Sequence, residues 1–194
     1  MILNNKYYIM RHGQTIYQKE NRQINYFADE NPFITLTEEG REMVEKTAQT
    51  MKGAGIDLIF SSRYTRTKET AEIAAKILGI EKINYDERLI DINLGVFMGK
   101  PMEDSHGFYL KGETVFSNKP EGGESWSDIL ERVKGFLDEL EKQYQGKNIL
   151  IISHADPIWL MAGYLRGFKK KEDFLKARAD RENSYPKLGQ LIFI

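Results

Sequence analysis

The sequence predicts an α/β fold, a mainly parallel central sheet flanked by helices. Short β-rich apolar runs that each stop at polar residues, amphipathic helical stretches between them, and the alternation of the two along the chain carry that prediction. Lys6 to Met10 is the first strand-like run, Leu58 to Phe60 the second and Asn148 to Ile152 the third. Thr37 to Met51 reads as a helix with Val44, Ala48 and Met51 on one face, and Tyr64 to Leu78 as another. The clearest period lies in Ser125 to Tyr144, where Trp126, Ile129, Leu130, Val133, Phe136, Leu137, Leu140 and Tyr144 recur at i, i+3/i+4 before Gly146 ends the pattern. Asp156 to Arg166 is a further helix, stopped by Gly167, and Gln190 to Ile194 a closing strand. Lys19 to Thr35 and Met98 to Glu124 are long, aromatic and aperiodic, as expected of binding loops or lids. The expectation is one domain over residues 1–194 with a lid at 98–124.

Composition narrows the chemistry. The chain has 194 residues, 28 Lys plus Arg against 29 Asp plus Glu, three His and no Cys. With 41% hydrophobic residues it can bury a substantial core, and a net charge of -1 argues against a broad nucleic-acid or anionic-membrane footprint. Without cysteine there are no disulfides, thiolate metal sites or thiol nucleophiles, so catalysis falls to His, carboxylates, hydroxyls or cations. The first ten residues do not read as a signal peptide and no 18-residue apolar run exists, so no membrane partner and a cytoplasmic location are expected. The oligomeric state stays open, a homodimer included.

Polar residues follow the three strands: Arg11-His12-Gly13-Gln14-Thr15 after the first, Ser61-Ser62 and then Arg66 after the second, Ser153-His154 and Asp156 after the third. In an open α/β sheet, ligands bind outside the carboxyl ends of the strands. Two of the three histidines and two arginines are thereby sent to one edge, where helix N-termini add positive dipole ends that favour an anion.

These residues, together with Ser61-Ser62-Arg63-Tyr64-Thr65-Arg66, Glu69-Thr70-Ala71 and Gly122-Gly123-Glu124-Ser125, resemble the histidine phosphatase (phosphoglycerate mutase-like) superfamily, branch 1, in that family's order and over nearly the whole chain. R-H-G-x-T arises by chance in a chain this long roughly once in a thousand. The resemblance implies that His12 attacks phosphorus as a neutral imidazole, that Arg11, Arg66 and His154 bind the phosphoryl group, and that water then hydrolyses the phosphoenzyme. It implies no metal and no cofactor. It also implies a general acid in the segment Arg88 to Gly99, where Asp91 stands in place of the family's usual glutamate. Aspartate is one methylene shorter and more acidic, so the role demands a closer backbone or a proton held beside the phosphate. Asp156 is the reserve candidate, with a helix N-cap ahead of Pro157 as its structural alternative.

Gln18 stands where many relatives carry an asparagine near the phosphate, and Arg63 is either a third phosphate cation or a rim charge. His106 lies in the expected lid without an assigned role. A three-histidine metal site lacks any ligand pair at metal-motif spacing. The resulting expectation is a metal-independent phosphomonoester hydrolase acting on a small phosphorylated metabolite. Two alternatives stand beside it: a bisphosphoglycerate-dependent phosphoglycerate mutase, disfavoured by Ile92 and Leu94 after Asp91, and a non-catalytic phospho-ligand-binding regulator.

Overall fold

A computed structural model describes residues 3–112, 114–180 and 184–194; Met1, Ile2 and residue 113 of the expected lid lie outside the described residues. Five strands, β1 (Lys6–Arg11), β2 (Leu58–Ser61), β3 (Ile83–Tyr85), β4 (Asn148–Ser153) and β5 (Leu191–Phe193), form one sheet in the order β3-β2-β4-β1-β5. All neighbours are parallel except β5, which runs antiparallel to β1. The sequence gives no signal for β3. It is an edge strand of sequence Ile-Asn-Tyr, in which Asn84 interrupts the apolar run and Tyr85 is exposed.

Strand alternation divides the core between the two faces. Tyr7 and Ile9 of β1 and Ile149 and Ile151 of β4 face α5 (Trp126–Gln143) and α6 (Ala155–Leu165), packing with Phe136 and Trp159. Met10, Leu150 and Ile152 face the other way, against Val44 and Ala48 of α2 (Glu38–Thr50) and Ala71 and Ala74 of α3 (Thr65–Leu78). Residues Ile149 to Ile152 are all fully buried, as a central strand covered on both faces requires. Truncating one of them to alanine costs about 2–5 kcal/mol.

The helix ends follow local chemistry. Thr37 caps α2 by accepting from the Gly40 amide at 3.0 Å, and Ser125 with Asp128 forms a capping box on α5. Helix α3 stops at Gly79 in the left-handed region, φ +72°. The two aperiodic segments contain short helices, α1 (Ile16–Lys19) at the entry to one and α4 (Met102–Tyr109) within the other. They also bond to each other: the Asn25 amide donates to the Lys100 carbonyl at 2.9 Å, and the Met102 amide to the Gln23 carbonyl at 3.0 Å. A further helix, α7 (Lys171–Ala179), was not expected, because its apolar stripe is narrow.

Candidate active site

Parallel pairing of β1 with β4 sets Arg11 opposite Ser153, so His12 and His154 leave the sheet side by side, their ring centroids 5.3 Å apart. His12 is buried, and its Nδ1 lies 2.7 Å from the carbonyl oxygen of Gly13. A carbonyl only accepts, so Nδ1 carries the proton and Nε2 keeps the lone pair. Gly13 is required here by space: a Cβ on it would collide with the Gly40 carbonyl oxygen of α2. Burial, and then Arg66, Arg11 and His154, hold the His12 imidazole well below the usual 6.5, so it stays neutral.

His154 is fully buried. Its Nε2 is 2.9 Å from Ser62 Oγ and its Nδ1 3.5 Å from Asp91 Oδ2. Burial first, then Arg66, Arg11 and Arg132, push its titration below the ordinary histidine range.

Arg66, in the first turn of α3, is fully buried between the rings of Tyr26 and Tyr64, its guanidinium carbon 4.6 and 5.2 Å from their centroids. Nη1 donates to the Asn31 carbonyl at 2.7 Å and Nη2 to Asp91 Oδ2 at 2.9 Å. Arg11 Nη1 donates to the Pro186 carbonyl at 2.9 Å. Arg11 Nε, Arg66 Nε and His154 Nδ1 are buried without a hydrogen-bond partner among the described residues. Buried polar groups are normally paired. A cluster with three unpaired nitrogens on two arginines and a histidine is suited to an oxyanion.

Above the cluster lies a cavity of ≈ 370 Å³, in the range of small-molecule sites, whose lining includes Arg11, His12, Asp91 and Asp156. Asp91 touches both Arg66 and His154 from the cavity side. Its loop is fixed by Arg132 of α5, which donates to the Arg88 carbonyl at 2.6 Å, the Asp91 carbonyl at 3.4 Å and Glu124 Oε1 at 2.8 Å. Glu124 in turn accepts from the Asn93 amide at 3.0 Å.

The structure thus brings Arg11, His12, Arg66, Asp91 and His154 together. Gln18 also lines the cavity, but its amide is committed to Thr15 at 2.7 Å and to the Tyr26 hydroxyl at 2.8 Å. Arg63 is outside the cavity lining; its side chain is 58% exposed and pairs with Glu87 at 2.8 Å. Asp156 is not an N-cap. His154 occupies that position of α6, and Asp156 lies in the first turn, accepting from the Tyr185 hydroxyl at 2.7 Å. His106 lines the cavity from α4. Among the described residues no group of three His, Asp or Glu is arranged to hold a metal ion, and no helix is long and apolar enough to cross a membrane.

Sequence reasoning missed Tyr26, Asn31 and Tyr64 around Arg66, and Arg132 behind Asp91. Their signal was indirect: the aromatic content of the Lys19 to Thr35 loop, and an arginine on the polar side of the most regular helix.

Known proteins resemble this chain in sequence and in fold. The profile of the histidine phosphatase superfamily (branch 1) matches residues 7–177. A phosphoserine phosphatase from Hydrogenobacter thermophilus is 31% identical over 137 residues, covering 68% of this chain; the chain spans 64% of that relative's length. A probable phosphoglycerate mutase from Escherichia coli is 31% identical over 166 residues, 82% of this chain and 74% of the relative. Among solved structures, a phosphoserine phosphatase from Entamoeba histolytica in complex with 3-phosphoglyceric acid aligns with TM-score 0.67 at 26% identity, covering 84% of this chain and 80% of that one. A mycobacterial glucosyl-3-phosphoglycerate phosphatase aligns with TM-score 0.67 at 23% identity, covering 82% and 79%.

Proposed function

This chain belongs to the histidine phosphatase superfamily, branch 1, and on that premise we propose that it is a phosphomonoester hydrolase with His12 as nucleophile. The observation that carries the reading is the Nδ1 hydrogen bond to the Gly13 carbonyl, which leaves Nε2 of a buried, neutral imidazole as the attacking atom at the cavity.

The Nε2 lone pair forms the N–P bond as the P–O bond to the alcohol breaks. Arg11, Arg66 and His154 hold the equatorial oxygens while charge spreads over them. Guanidiniums offer the forked donors that phosphoryl oxygens match, and with two of them present the proposed reaction takes no metal.

Asp91 is the general acid in this scheme. Its carboxylate sits on Arg66, at donors that an incoming phosphate needs, so substrate entry displaces it. The displaced carboxylate takes up the proton that the substrate brings on its monoanionic phosphoryl group. That proton goes to the leaving alkoxide. In the second half-reaction Asp91 takes a proton from the attacking water, the P–N bond breaks, and phosphate leaves.

The substrate class supported by the relatives is a small phosphate ester. Rapid quenching during turnover of p-nitrophenyl phosphate, followed by intact-protein mass spectrometry, is expected to show one added phosphoryl group that His12→Ala removes along with turnover. Phosphate release that survives His12→Ala, or that a chelator abolishes, refutes the scheme. The probable mutase among the relatives supplies a second reading: it requires that, with a bisphosphoglycerate primer, interconversion of 2- and 3-phosphoglycerate outruns phosphate release.

A further inference from the structure

The cavity is lined by a buried cation that the proposed reaction does not use. Arg178, in the last turn of α7, is nine-tenths buried and lines the cavity. Its guanidinium carbon lies 4.5 Å from the Trp126 ring centroid, with the rings of Tyr185 at 5.6 Å and Trp159 at 5.8 Å. Among the described residues its guanidinium makes no hydrogen bond or ion pair, and Nε is buried without a partner. Aromatic faces attract a guanidinium, yet they accept none of its N–H groups, and a buried charge ordinarily needs hydrogen-bonded compensation.

A second unpaired donor lies beside it. Trp126 lines the same cavity, and its indole Nε1 is buried without an acceptor. Arg178 and Trp126 are donors only. The segment Tyr185-Pro186 ties this end of the cavity to the phosphoryl cluster, since Tyr185 packs near Arg178 while the Pro186 carbonyl accepts from Arg11.

We propose that Arg178 and Trp126 form a subsite for a carboxylate on the alcohol portion of the substrate, which makes phosphomonoesters of hydroxy acids the preferred class. This deepens the phosphatase reading and rests on it for the chemistry, although not for binding. One guanidinium with one neutral N–H matches a monoanion. A second phosphate, with two charges, fits less well, because Asp156 lines the same cavity and repels it.

The test separates binding from turnover by using His12→Ala protein, which forms no phosphoenzyme. Calorimetry compares O-phosphoserine with O-phosphoethanolamine, and 3-phosphoglycerate with glycerol 3-phosphate, pairs in which only one member carries a carboxylate. The carboxylate member is expected to bind about tenfold or more tightly, the scale of a charge-assisted hydrogen bond. Adding Arg178→Gln should bring the two members of each pair together, Trp126→Phe should reduce the preference in part, and Arg178→Lys should keep some of it. That graded pattern does not follow from lost packing, which weakens both members alike. Equal affinities in the parent protein, equal losses in Arg178→Gln, or tighter binding of 1,3-propanediol bisphosphate overturns the subsite. In parallel, ester hydrolysis is followed with His12 intact. If no ester is hydrolysed, the phosphatase reading falls, and the affinity ratios still decide the subsite.

Discussion

Asp91→Asn is expected to move binding and turnover in opposite directions. The carboxylate holds Arg66 Nη2 at 2.9 Å and approaches His154 Nδ1 at 3.5 Å, so it competes with phosphate for the same donors. A hydrogen bond to a charged group contributes about 1.5–3 kcal/mol. Asp91 is 18% exposed, which favours the lower end of that range. Releasing about 1.5 kcal/mol of competition tightens phosphate binding about tenfold, at 1.36 kcal/mol per decade. The amide cannot deliver a proton, and loss of a general acid costs about 10²–10⁴ in rate. That loss should fall on alkyl phosphates, whose alkoxides need the proton, far more than on p-nitrophenyl phosphate. The assay is the inhibition constant for inorganic phosphate alongside kcat for both ester types. Weaker or unchanged phosphate inhibition refutes the idea that Asp91 occupies the phosphate donors, and an equal loss for alkyl and aryl esters refutes its role as acid.

Two further outcomes follow from the same geometry. Both site histidines titrate below 6.5 in the folded chain, so as pH falls through that value the unfolded chain takes up protons first. Their contribution to stability is therefore complete above about pH 6.5 and declines below it, and the acid limb of kcat/KM should likewise lie below 6.5; a melting temperature equally steep with pH in His154→Gln contradicts this. Gly13→Ala places a methyl against the Gly40 carbonyl and should lower stability by about 1–3 kcal/mol in denaturant titration while displacing His12 and reducing turnover; a variant as stable and active as the parent contradicts the steric account.

What the sequence revealed depended on period and on adjacency to strands. Helix α5 was legible because its six fully buried apolar residues repeat on one face, and His12 and His154 because each directly follows a buried strand. Strand β3 and helix α7 were not, since Asn84 interrupts the one and the other shows only Phe174 and Arg178 buried among charges. Arg63 and Arg66 illustrate the limit for the site. Both stand in one motif, yet Arg63 lies in the bend before α3 and is exposed, whereas Arg66 lies in the first turn of α3 and is fully inside. Arg132 and Arg178 were invisible because a buried arginine on a helix has the same sequence signature as a solvated one. Only the packing of distant aromatic and carbonyl groups distinguishes them.

The shared rung of β1 and β4 also has a bearing on folding. His12 enters with the first strand and His154 with the fourth, so the two histidines meet only when segments far apart in the chain have zipped together. Such non-local pairing forms late, because loop closure must precede it. Recovery of esterase turnover after dilution from denaturant is thus a clock for the final sheet closure, whereas helical circular dichroism should return earlier.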